Sequence, residues 1–81
     1  MSRQHLSVED KKRIEYISTF LKELRINSGL TQTDVAVETG LSRNFISKLE
    51  RGGVGTVMIK HLFLLIDFYE IKLSELFQDL D

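Results

Sequence analysis

The chain has 81 residues, 42% of them apolar and 28% charged, with no Pro, Cys or Trp and a formal net charge of -1. That length allows one small domain with a marginal core, which dimerisation would strengthen. Disulfides and cysteine-based metal or redox sites are excluded, no stretch approaches the ~20 apolar residues of a membrane span, and the polar start MSRQHLSVEDKKR is not a signal peptide, so a cytoplasmic protein is expected.

Ser7, followed by Asp10 three residues later, has the pattern of a capping box and predicts one long helix from Val8 to about Ser28, ended by Asn27-Ser28-Gly29. Ile14, Ile17, Phe20, Leu21 and Leu24 form its apolar stripe. Near its start, Lys11, Lys12 and Arg13 either reach phosphates or simply make a solvated face. Thr31 is placed to cap a second helix beginning at Gln32, because its hydroxyl accepts a backbone N–H that has no partner at a helix start. Val35, Ala36 and Thr39 fall on one face of it, and Gly40 suits the left-handed conformation that ends a helix. Leu41 follows as an apolar plug. Ser42 is a second N-cap, predicting a helix over Arg43 to Arg51 with Ile46 and Leu49 turned inward. Two helices joined by so short a turn meet closely, which is why a small side chain is needed at Ala36.

The run Gly52-Gly53-Val54-Gly55 lacks the Gly-Lys-Ser/Thr ending of a nucleotide-binding loop and reads as a connector. Thr56 is placed to cap a helix to about Tyr69. Ile59, Leu62, Phe63 and Ile66 make one face of it, and Met58, Leu64, Leu65, Phe68 and Tyr69 carry apolar surface around the rest. Ser74 is placed to cap a last short helix from Glu75 to about Leu80, with Leu76, Phe77 and Leu80 apolar. A small chain cannot bury a helix that is apolar nearly all round, so residues 56–81 are expected to dimerise through Phe63, Leu65, Phe68, Leu73 and Phe77. No strand pattern or repeat is present. The expectation is an all-α, five-helix single domain over residues 1–81.

Gln32, Ala36, Gly40, Leu41, Ile46 and Leu49 stand at the defining positions of a helix-turn-helix over residues 31–52. With them the chain resembles the lambda-repressor/Cro-like (XRE) helix-turn-helix family from about Ile17 to Phe77. The run LSRNFISKLERG, Leu41 to Gly52, is most similar to the controller proteins of restriction-modification systems. The resemblance implies a compact lambda-repressor-like DNA-binding domain, here with a first helix that begins about two to three turns early.

It also implies a sequence-specific transcriptional regulator that binds a roughly two-fold DNA operator as a homodimer, needs no cofactor or metal, and has RNA polymerase as a further partner. Controller, phage-like repressor and antitoxin-type autoregulator all fit. On the family's pattern Arg43, Asn44, Ser47 and Lys48 read base edges in the major groove. Thr31, Gln32, Ser42, Phe45 and Arg51 lie along the DNA backbone, and Arg25 pairs with Glu50 to orient the reading helix. Bland alternatives stand beside these roles. Arg43 is otherwise an ordinary exposed first-turn residue, Thr31 only a cap, Arg51 a partner of C-terminal carbonyls, and Arg25–Glu50 a surface pair worth little. Phe45 either touches a thymine methyl or sugar, or packs at the edge of the core.

Charge argues only weakly for DNA. Residues 1–55 hold nine Lys+Arg against seven Asp+Glu, and residues 56–81 two against five, so the acidic part can face away from phosphate. Because the loop after Gly52 has neither Lys, Arg nor Pro, any phosphate contact there falls to backbone N–H groups, and its glycines leave room for ordering only on DNA. The rival from another class is a protein-interaction module that has lost DNA binding. An enzyme is not expected, since His5 and His61 are far apart in sequence and no carboxylate pair has catalytic or metal-ligand context.

Overall fold

The computed structural model describes residues 7–53 and 59–76. Within them the chain forms five helices: α1 (Val8–Asn27), α2 (Gln32–Thr39), α3 (Arg43–Glu50), α4 (Ile59–Tyr69) and α5 (Leu73–Leu76). The connector residues 54–58, with the expected cap Thr56, and the end of the chain, with Phe77 and Leu80, lie outside the described residues.

Local chemistry sets most helix ends. The Ser7 hydroxyl accepts the Asp10 N–H at 3.0 Å and starts α1, but the expected capping box is only half made. The Asp10 carboxylate turns to Arg13 Nη1, 3.0 Å away, one helical turn on. At α2 the box is complete: Thr31 Oγ1 accepts the Asp34 N–H at 3.0 Å, and Asp34 Oδ2 accepts the Thr31 N–H at 2.9 Å. These bonds hold the Asp34 carboxyl below the usual carboxylate range, the backbone bond contributing most.

Gly40 closes α2 with φ 79°, the left-handed conformation in which a side chain is strained. Ser42 Oγ then accepts the Phe45 N–H at 3.0 Å and opens α3. At its other end Gly52 (φ 75°) is left-handed too. Its N–H reaches Leu49 O and that of Gly53 reaches Lys48 O, the paired bonds of a Schellman ending.

One core joins all five helices: Leu21 of α1, Val35 of α2, Ile46 and Leu49 of α3, Leu65 and Ile66 of α4, and Leu76 of α5. Helix α2 packs against both α3 and α4, and α1 lies against α3. Ala36 sits half-buried against this core, as the short turn requires.

Three expectations about the C-terminal third are corrected. The face of α4 that meets the core is Leu65 and Ile66, flanked by Leu62, Phe68 and Tyr69, whereas Ile59 and Phe63 are 59% and 47% exposed. Two apolar stripes run along this helix, and periodicity does not say which one finds the core. Leu65, expected at a dimer interface, is therefore inside the chain's own core at 2% exposure and has no surface to give a partner. Helix α5 starts at Leu73, not after Ser74. Glu75 Oε1 accepts the Lys72 N–H at 2.7 Å, so the acid at the third helical position does the capping.

Candidate nucleic-acid interface

Helix α3 has two unlike sides. Ile46, Leu49 and Glu50 are buried. Opposite them Asn44, Lys48 and Arg51 are exposed and Ser47 is half-exposed, recurring every three or four residues, with Arg43 exposed at the helix start. None of Arg43, Lys48 and Arg51 has an ion-pair partner among the described residues. The helix thus presents a line of uncommitted donors while its other side is fixed in place.

The fixing is done by charge as well as by hydrocarbon. Arg25 Nε lies 2.8 Å from Glu50 Oε2 and 3.1 Å from Oε1, and Arg25 Nη2 lies 3.0 Å from Oε1. Its remaining arm, Nη1, donates to Leu30 O at 2.8 Å. The side chains are 12% and 3% exposed, so this is a buried, fork-geometry pair and not the surface pair that was the alternative. The hydrogen bonds to Glu50 raise the Arg25 pKa further above its ordinary value. Tyr69, at the end of α4, lies in the same field. Burial first, and the Glu50 carboxylate second, push its phenol up to about 12. One carboxylate therefore ties α1 to α3 and feels α4.

Gln32 joins this cluster, which the sequence did not foretell. Its Nε2 donates to Glu50 Oε1 at 3.1 Å; a carboxylate accepts only from the amide NH2, so the side chain's orientation is chemically fixed. One amide hydrogen is used in this way and one is left for a phosphate. Thr31 is more committed than expected. Both its N–H and its Oγ1 lone pair are taken by the capping box, and the N–H groups of α2 left for an anion belong to Gln32 and Thr33. The Oγ of Ser42 accepts the Phe45 N–H and keeps its proton to donate.

Phe45 is placed differently from its neighbours on the helix. Its ring is half-buried against the core and meets His61 of α4 edge-on, centroids 4.9 Å apart. Packing at the edge of the core is one of the two uses open to it, and the exposed part of the ring stays on the same helix as Asn44 and Ser47. Of the expected dimer residues, Phe63 and Leu73 are exposed, Phe68 is half-buried, and Phe77 lies outside the described residues.

Residues 21–76 match the model of a family described as helix-turn-helix. The chain belongs to the XRE-type helix-turn-helix family. Among solved structures, this helix-turn-helix protein is similar to the restriction-modification controller protein C.Esp1396I. It is 31% identical to that protein as a tetramer in complex with its natural 35 base-pair operator, covering 84% of this chain and 88% of that one with a TM-score of 0.71. The wild-type controller compares alike at 31% identity, 84% and 86% coverage and TM-score 0.71. A point mutant of it gives 32% identity, 84% and 85% coverage and TM-score 0.72. No curated protein matches the sequence. Among the described residues no helix is long and apolar enough to cross a membrane.

Proposed function

We propose that this helix-turn-helix protein is a dimeric, sequence-specific transcriptional regulator that reads a roughly two-fold DNA operator, and that it is the controller of a restriction-modification operon. The observation that carries the DNA-binding reading is the two-sided α3, a buried and ion-paired back behind an exposed front of uncommitted donors. The front fits the major groove, the only groove with a distinct donor and acceptor pattern for every base pair. Arg43 has the fork to take guanine O6 and N7, and Asn44 the amide to pair with adenine. Ser47 and Lys48 add less selective contacts. Gln32, Ser42 and Arg51 hold the helix in register through phosphates, and Thr31 supports them as a cap.

The exposed side of α4 and α5, with Ile59, Phe63 and Leu73, supplies the dimer face. Two-fold pairing would set the reading helices about 34 Å apart, one turn of duplex. The controller role rests on likeness to a controller held as a tetramer on its operator. A cytoplasmic protein acting beside RNA polymerase at its own promoter follows from that role.

Selection from a random duplex pool tests the reading. A single enriched motif with two-fold symmetry supports it, and failure to select any duplex at low salt favours an interaction module that does not read DNA.

A further inference from the structure

The basic turn at the start of α1 has no place in the reading above, because it precedes residue 21, where the family match begins. Its three cations are not equivalent. Arg13 is engaged with Asp10 at 3.0 Å. Lys12 is exposed. Lys11, exposed as well, also lines a surface cleft of about 300 Å³ together with Ile14, Glu15, Arg51 and Gly52. Helix α1 thus brings a lysine to the same cleft as an arginine at the end of the reading helix, two residues forty positions apart in the chain.

We propose that Lys11 and Arg51 together bind a DNA backbone phosphate, so that the early start of α1 extends the protein's footprint past the helix-turn-helix itself; this rests on the regulator reading. Three observations carry it. Arg51 continues the exposed stripe Asn44, Ser47 and Lys48, so the cleft opens off the end of the face that meets DNA. Neither Lys11 nor Arg51 has an ion-pair partner among the described residues, which leaves both charges for an outside anion. The protein's net charge is only -1, so a phosphate site with two cations in its lining matters more than it would on a strongly basic surface. Glu15 is the opposing charge in the cleft, and it leaves a net balance of one positive charge there. The phosphate is that of duplex DNA, since the cleft continues the exposed stripe of α3 and its lining holds no aromatic ring on which the base of a free nucleotide would stack.

The test is the salt dependence of binding to the selected operator by Lys11→Gln, Lys12→Gln and Glu15→Gln proteins, with the wild type alongside. Each phosphate neutralised on B-DNA contributes about 0.9 to the slope of log K against log salt. Lys11→Gln is expected to make that slope shallower by up to about 0.9 per protomer, the remainder being held by Arg51, and to weaken operator and unrelated duplex by the same factor. Lys12→Gln is expected to behave as wild type. Glu15→Gln is expected to tighten binding at low salt by relieving repulsion of the phosphate. An unchanged slope in Lys11→Gln, or an equal loss in Lys12→Gln, overturns the site while leaving the regulator reading intact. A wild type that binds no duplex overturns both.

Discussion

Arg25 grips Glu50 with two of its guanidinium nitrogens and passes the third to the carbonyl of Leu30, so that a single side chain on α1 fixes both the far end of α3 and the entry to α2. Because the pair is buried, its worth shows most clearly when it is broken. Glu50→Ala leaves Arg25 charged and unpaired at 12% side-chain exposure and is expected to cost about 3–5 kcal/mol in urea unfolding. It also frees the Gln32 amide, so operator affinity should fall along with stability. Unchanged values for both would remove the orienting role.

The turn after α4 holds a second testable feature. Glu70 adopts φ 58°, the one non-glycine residue in the left-handed region among those described. It does so because the N–H groups of Glu70 and Ile71 return to Asp67 O and Ile66 O, the same Schellman ending that Gly52 gives α3. A side chain pays for this geometry by roughly 1 kcal/mol. Glu70→Gly should raise the midpoint of chemical denaturation by a corresponding amount, and a loss of stability would show that the carboxylate has a role of its own.

The surface of α4 and α5 makes a prediction about assembly. Phe63 is 47% exposed and Leu73 44%, with Ile59 one turn before Phe63 on the same side. Phe63→Glu should shift sedimentation from dimer to monomer at micromolar concentration, while Leu65→Ala should act on the fold of the protomer, since its side chain is in the core. A Phe63→Glu protein that stays dimeric would move the interface elsewhere.

At high pH the half-buried phenol of Tyr69 becomes a probe of the cluster. Its folded pKa of about 12 stands above the ordinary 10.0, so the folded chain holds this proton more tightly than the unfolded chain does. The stability it contributes is fully present below pH 10.0 and is lost as pH rises toward about 12. The unfolding free energy of wild type relative to Tyr69→Phe should therefore decline across that window. A constant difference would mean that the phenol titrates normally.

The parts of this structure that were legible in the sequence are those decided within a few residues. Thr31, Gly40 and Ser42 act on the backbone next to them, so the two motif helices and their turn could be placed from residue type and spacing alone. The exposed front of α3 followed from the same periodicity. Decisions made across the chain were hidden. Gln32 and Glu50 are both polar, and nothing local says that they meet across 18 positions. That Phe45 packs on α4 depends on the placement of His61, sixteen positions away, which nothing local announces. Helix α4 offered two apolar stripes and the sequence did not rank them. Its end at Tyr69 was expected, but the left-handed Glu70 that closes it was not, since the Gly or Asn that usually marks such a cap is missing.

The most direct measurement of the central claim, that the exposed side of α3 reads base sequence, is the affinity of Arg43→Ala for the selected operator and for each of its single base-pair variants. The expected result is a loss of about 1–3 kcal/mol on the operator, with discrimination abolished at one base pair in each half-site and kept at the others. Equal affinity of wild type and Arg43→Ala for every duplex, or a uniform loss that leaves discrimination at all positions intact, would contradict it.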